Sequence, residues 1–166
     1  MSEDDIGDHR RIRSVLLVCM GNICRSPMAE GLLRHRLVER GLGDRLRIDS
    51  AGTGSWHAGA APDARAIRIC AEHGVDIRAL RARAICADDY ARFDLILCAD
   101  RANLSTVRGR QLAGSTATSA LLLDWAGAAG NEVPDPYSGG PEDFRRVYEL
   151  LDTAIGQLLA RMQLPA

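Results

Sequence analysis

The strongest constraint on the fold is the short run Arg13 to Cys19, "RSVLLVC", which is apolar without alternation and rich in Val and Leu. Such a run reads as a strand buried on both faces of a parallel sheet. A strand of that kind needs helices above and below, and the following residues supply one. Ser26-Pro27 offers an N-cap and a first-turn proline for a helix that carries Met28, Leu32, Leu33 and Leu37 toward Gly41.

The alternation then repeats. "LRIDSAG" predicts a second strand ending in a glycine-rich loop, and "PDARAIRICAEHG" a helix with proline at its start and glycine past its end. "FDLILCAD" predicts a third strand, with a helix from near Arg101, and "TATSALLLDW" holds a fourth. A loop through Gly130 and "VPDPYSGG" leads to a last helix from near Pro141, with Glu142 and Asp143 in its first turn. Phe144, Val147, Leu151, Ile155 and Leu158 fall on one face of that helix. The expected fold class is α/β: one domain with a doubly wound, four-stranded parallel sheet flanked by helices. Its ligand site lies beyond the carboxyl ends of the strands. Cys19 sits at such an end.

A length of 166 residues with 46% apolar content suits one core rather than two. Residues 1–12 are expected to form a flexible polar N-terminus and 13–164 the domain. There is no internal repeat, low-complexity segment or linker. A net charge of -1 gives no overall attraction to nucleic acid or an anionic membrane, so any affinity for phosphate must be local. All 21 Lys and Arg residues are arginine, which excludes a Walker lysine, a Schiff-base lysine and a lysine base. "MSEDDIGDHRR" lacks the apolar core of a secretory signal, and no later run approaches a membrane span. Five cysteines without regular spacing fit a reducing compartment, so a cytoplasmic location is expected.

Two stretches share the spacing Cys-x5-Arg, and comparing them shows what the chemistry requires. In "CADDYAR", Cys86 to Arg92, Asp88 and Asp89 would repel a phosphate dianion, no glycine is present and no obvious strand precedes. Cys86 is read there as a structural thiol. In "CMGNICR", Cys19 to Arg25, Gly21 can take a positive φ and Asn22 tolerates one. The backbone of Met20, Gly21, Asn22, Ile23 and Cys24 can then curl until its N–H groups converge on an anion. The next helix adds the positive end of its dipole. Arg25 adds a planar fork for two phosphate oxygens. The expected product is a phosphate-binding loop between the first strand and the first helix, with a sulfur at its floor. Cysteines at helix N-termini beside cations are the reactive ones, and the Ser26 hydroxyl can bond the sulfur as it leaves.

"VCMGNICRSPMAEGLL" resembles the phosphate-binding loop and first helix of the bacterial type of low-molecular-weight protein-tyrosine-phosphatase. "VPDPYSGGPEDFRRVY" is similar to that family's acid loop and last helix. "IDSAGTGSWHAG", "AEHG" and "FDLILCAD" lie between them in the family's order, so the resemblance covers nearly the whole chain after the first dozen residues. It implies hydrolysis of phosphotyrosine and small aryl phosphates, with Cys19 as nucleophile, Arg25 on the phosphate and Asp135 as general acid. It makes Ser26 and Asn22 loop-organising residues and places His73 against the loop asparagine. The other reading of His73 is a helix C-terminal residue before Gly74. Trp56 and Tyr137 match aromatic positions at the rim of the substrate slot. Many relatives carry two tyrosines after Asp-Pro, whereas here Ser138 follows Tyr137, so an aromatic contact or tyrosine phosphorylation at that second position is not expected.

No cofactor or metal is expected, since the cradle supplies the positive charge and the chain has no Cys-x2-Cys or His-Glu-x-x-His cluster. Tyrosine-phosphorylated proteins are the expected partners, with no nucleic acid or membrane, and a monomer is favoured with the oligomeric state left open. Cys24 is a candidate redox guard for Cys19; its other reading is a small apolar loop residue. Two competing functions remain at this level: an arsenate reductase on the same fold, and a non-catalytic phosphotyrosine-binding module. The reductase would need a resolving cysteine pair on a mobile segment, yet Cys98 lies in the apolar run "DLILC" and no cysteine follows it. Arsenate reduction also gives no role to Asp135, and intact Cys19, Arg25 and Asp135 argue against the binding module. Arg78, Arg81 and Arg83 could steer an acidic partner, and a solvated face is the preferred reading.

Overall fold

A computed structural model describes residues 12–162 and 164. The first strand, β1, is Ser14–Cys19 and is buried at every position. Its side chains alternate between two cores, as the two-residue period of a strand demands. Val15, Leu17 and Cys19 enter the larger cluster, and Leu16 and Val18 the smaller. β1 pairs in parallel with β2 (Arg47–Gly52) on one side and β3 (Leu95–Cys98) on the other, and β3 pairs with β4 (Thr118–Leu121). The order is β2-β1-β3-β4, all parallel, as the alternation of elements predicts. The strand order reverses between β1 and β3, so the connections leaving these strands diverge and open a crevice at their carboxyl ends.

Helix α1 (Arg25–Glu39) follows the loop after β1 and buries Met28, Leu32, Leu33 and Leu37. Its cap differs from the sequence expectation. Cys24 occupies the N-cap position without a side-chain bond, and the Ser26 hydroxyl turns inward instead. Helix α2 (Ala64–Glu72) is capped by Asp63, whose carboxylate accepts from the Arg65 amide. A one-turn helix, α3 (Asp89–Arg92), precedes β3, and α4 (Arg101–Gly109) follows it. Helix α5 (Leu122–Ala126) begins directly after β4, where the sequence shows only a continuing apolar run. The last helix, α6 (Pro141–Met162), buries the five residues assigned to its inner face. Helices α1, α2, α5 and α6 pack on one sheet face, and α3 and α4 on the other.

Residues 1–11, most of the expected flexible N-terminus, lie outside the described residues. Ile12 is buried and joins the larger core. No helix among the described residues is long and apolar enough to cross a membrane.

Candidate active site

The loop from Cys19 to Arg25 lies at the switch point. Its tight turn is made by Asn22, the one non-glycine residue with positive φ among those described, at 56°. Gly21 is not in the left-handed region, and its value is spatial. A Cβ there would meet the His57 ring at 3.0 Å.

Asn22 holds its conformation because its side chain is fully bonded. Its Nδ2 donates to Ser26 Oγ at 2.8 Å and to Ser50 Oγ at 2.9 Å, while Oδ1 accepts from the Arg83 amide at 3.0 Å. Ser50 in turn donates to the buried Glu30 carboxylate at 2.7 Å. Burial pushes Glu30 up from its ordinary value, against the opposing pull of the Ser50 bond and of Arg34. Ser26 Oγ also lies 3.0 Å from Cys19 Sγ. The Ser26 oxygen accepts from Asn22 and keeps a second lone pair, so either Ser26 or a Cys19 thiol can donate in this contact, and against a thiolate the Ser26 hydroxyl is the donor.

Gly52 closes the loop from behind. A Cβ there would lie 2.6 Å from the Met20 carbonyl oxygen and 3.2 Å from the Asn22 nitrogen, so the end of β2 can support the loop only without a side chain.

Arg25 is buried and braced. Its Nη1 donates to Asp100 Oδ2 at 2.7 Å and to the Val133 carbonyl at 2.9 Å. Asp100 uses its other oxygen to cap α4 through Asn103 N. The brace occupies one nitrogen and leaves the Nε–Nη2 edge for an anion. On that edge, Nη2 stands 3.7 Å from Asp135 Oδ2. Asp135 is 41% exposed and accepts from the Tyr137 amide at 3.0 Å.

These groups share an open cavity of about 200 Å³, lined by Cys19, Met20, Gly21, Ile23, Cys24, Arg25, Trp56, His57, Asp135 and Tyr137. Trp56 and Tyr137 stand exposed at its mouth. The Trp56 ring folds back over Gly54, where a Cβ would be only 1.7 Å from it.

Of the two readings of His73 the helix C-terminal one stands, and the readings of Cys86 and Arg83 are corrected. His73 is not at the loop: its Nδ1 is 3.1 Å from the Ile69 carbonyl, and its ring stacks on Tyr148 at 4.1 Å. It occupies the C-cap of α2 before Gly74, whose φ is 77°, because the helix ends with that turn directed toward α6 rather than β1. The place expected for it beside Asn22 is taken by the Arg83 amide and Ser50. Cys86 is exposed rather than a packed thiol, and the structural residue of its segment is Asp89. Arg83, read as solvated, instead reaches Asp49 and the buried Asp89 with two bonds of 2.9 Å to the latter.

Cys24 is buried, and burial first, with Asp63, Cys19 and Asp135 after it and Arg65 opposing, pushes its thiol up to about 12. Sequence reasoning missed Asp100, Ser50, Glu30, His57 and Arg65. Asp100 carried a signal, since Asp at the N-cap with Asn103 three residues on resembles a capping box.

A cysteine at the floor of an amide-lined loop, at the switch point of a doubly wound sheet and facing an arginine and a carboxylic acid, defines an α/β protein built to hold a phosphoryl group over a sulfur. Residues 14–165 match the family described as low molecular weight phosphotyrosine protein phosphatase, and the chain belongs to that family. It is similar to the low molecular weight phosphotyrosine protein phosphatase of Sus scrofa, with 39% identity over 139 residues, 82% of this chain and 87% of the relative. Among solved structures, YfkJ from Bacillus subtilis is similar at a TM-score of 0.84 and 37% identity, over 92% of this chain and 95% of that one. The Drosophila arginine phosphatase DARP is similar at a TM-score of 0.84 and 34% identity, over 92% and 99%.

Proposed function

We propose that this chain is a protein-tyrosine phosphatase that hydrolyses phosphotyrosine and small aryl phosphates through a cysteinyl-phosphate. The observation that carries the reading is that Asp135, from a distant part of the chain, meets the Cys19–Arg25 loop at one cavity with an aromatic mouth.

Cys19 attacks phosphorus in line as a thiolate, and the phosphorus–oxygen bond to the aryl group breaks. Arg25 and the amides of Met20, Gly21, Asn22, Ile23 and Cys24 hold the equatorial oxygens, where charge is spread in the transition state. Asp135 gives its proton to the departing phenolate oxygen. Water then attacks phosphorus and loses a proton to Asp135, and the sulfur leaves with the Ser26 hydroxyl bonded to it. Trp56 and Tyr137 flank the ring of a phosphotyrosine, with a preference over aliphatic phosphates that follows from stacking area. His57, at the same mouth, joins them as a substrate-facing group.

The reaction as drawn needs no metal or cofactor, because the cradle and Arg25 supply the positive charge. The substrates are tyrosine-phosphorylated proteins, and the enzyme works as a monomer in the cytoplasm. Cys24 serves as the resolving thiol: when peroxide oxidises Cys19 to a sulfenic acid, Cys24 condenses with it to a disulfide and releases water. If peroxide inactivates wild type and Cys24→Ser equally, and reductant restores both equally, that guard role is wrong.

Hydrolysis of phosphotyrosine, an aryl phosphate and phosphoarginine in EDTA by wild type, Cys19→Ser and Asp135→Ala tests the main reading. Wild type is expected to prefer the aromatic esters. Cys19→Ser should lose turnover, and Asp135→Ala should lose about 10²–10⁴-fold with phosphotyrosine while still binding phosphate. Full activity in Cys19→Ser overturns the mechanism, and a preference for phosphoarginine overturns the substrate.

A further inference from the structure

We propose that Arg65, the second residue of α2, is a positioning residue that sets the aim of Asp135. The inference rests on the phosphatase reading above, in which Asp135 is the proton donor.

The segment carrying Asp135 is held at its start, where Val133 donates to the Ala99 carbonyl and accepts from Arg25. Prolines 134 and 136 stiffen it locally. Neither feature anchors its far half, and Asp135 and Tyr137 are both substantially exposed. The far half is tied at Gly140, whose amide donates to Asp143 Oδ2 at 2.8 Å, and between Asp135 and Gly140 by the Arg65 guanidinium. Arg65 Nη2 donates to the Tyr137 carbonyl at 2.9 Å and Nη1 to the Gly139 carbonyl at 3.0 Å. Because the Tyr137 amide donates to the Asp135 carboxylate, the residue Arg65 grips is the one that orients the acid.

The arginine is itself fixed from two sides. Its Nε and Nη2 meet both oxygens of Asp63 at 3.0 Å, and its guanidinium carbon lies 4.4 Å from the Phe144 ring centroid at the start of α6. Asp63 in turn donates its amide to the Ile23 carbonyl at 2.8 Å. The acid segment is thereby tied, through one arginine and one aspartate, to the loop that holds the phosphate. Geometry of this kind matters because a misplacement near 1 Å in a catalytic group can cost on the order of 100-fold.

Only arginine fits the task. One planar group makes bonds in three directions, to a carboxylate and to two carbonyls, which the single nitrogen of lysine cannot span.

The test is the dependence of kcat/KM on the leaving group, measured for a series of aryl phosphates from acidic to weakly acidic phenols. Arg65→Met, which keeps the apolar stem over Phe144, is expected to lose about 10- to 100-fold with phosphotyrosine. It should lose little with a nitrophenyl ester, whose phenolate leaves without a proton, so the plot steepens. In an Asp135→Ala background the same substitution should be nearly silent. Arg65→Lys should follow Arg65→Met, and inhibition by inorganic phosphate should stay at the wild-type level in both.

An equal loss for every leaving group, or an equal loss with and without Asp135, means Arg65 only supports the fold and overturns the proposal. So does a wild-type slope in Arg65→Met and Arg65→Lys. If wild type fails to hydrolyse aryl phosphates, or Cys19→Ser still does, the phosphatase reading fails instead.

Discussion

Asn22 shows how one side chain can hold a backbone shape that most residues avoid. Its φ of 56° would be strained for an ordinary residue, and three bonds through its amide keep it there. Asn22→Ala keeps the strain and leaves Ser26, Ser50 and the Arg83 amide short of a partner. A loss of about 1–3 kcal/mol is expected in denaturant unfolding, with a large fall in kcat. Asn22→Gly removes the strain but not the loss of bonds, so it should recover stability better than activity. Equal recovery of both would mean that backbone shape alone matters.

The cysteines give a second prediction at this scale. Burial pushes Cys24, Cys70 and Cys98 up to about 12, so they stay protonated at neutral pH. Brief treatment of the folded protein with iodoacetamide should label exposed Cys86 and, unless phosphate is added, Cys19. Peptide mapping by mass spectrometry checks this, and rapid labelling of Cys24 in the native protein would contradict it. Residue types were legible for Cys19, Arg25 and Ser26, which are neighbours in sequence. The partners of Asn22 were not, because Ser50 and Arg83 reach it from 28 and 61 residues away.

Among the connecting elements, the strap from Arg83 to Ile85 carries more structure than its sequence suggests. It forms a parallel bridge, Gly52↔Ala84, beside β2, and its Arg83 amide reaches into the loop. Arg83 then ties it to the turn before β3. Burial alone would push the Asp89 carboxyl up, but the Arg83 guanidinium and the Cys86 amide outweigh it and hold Asp89 below its ordinary value of 3.8. A carboxylate lowered in the folded state stabilises the fold above its unfolded value, and the contribution fades as pH falls through the folded one. The difference in unfolding free energy between wild type and Asp89→Asn should therefore be greatest at neutral pH and shrink below about pH 4. A difference that does not change with pH would show that Asp89 acts by shape and not by charge. The strap carries no hydrophobic periodicity, which is why its role was invisible in "IRALRARAI". Helix α5 escaped for the opposite reason, since Leu121, Leu122 and Leu123 extend the apolar run of β4 across the boundary between strand and helix.

At the scale of the whole molecule, the two sheet faces are unequal, and the larger core lies under the site. Phe144 is 1% exposed and packs between that core and the Arg65 guanidinium. Phe144→Ala should destabilise the protein by about 3–5 kcal/mol, seen as a lower denaturant midpoint at unchanged slope. Phe144→Leu should keep most of the stability. If Phe144→Ala unfolds at the wild-type midpoint, the packing described for the start of α6 is wrong.

The sequence by itself determined the alternation of four strands with their main helices, the parallel sheet and the cradle from Cys19 to Arg25. Each follows from patterns among residues close along the chain, where period and turn chemistry act locally. Only the tertiary structure decided that Asp100 braces Arg25, that Arg65 grips the segment of Asp135, and that His73 ends its helix against Tyr148 instead of meeting Asn22. Those contacts join parts of the chain that are remote in sequence, and their geometry depends on how packed helices orient their ends, which no local pattern records.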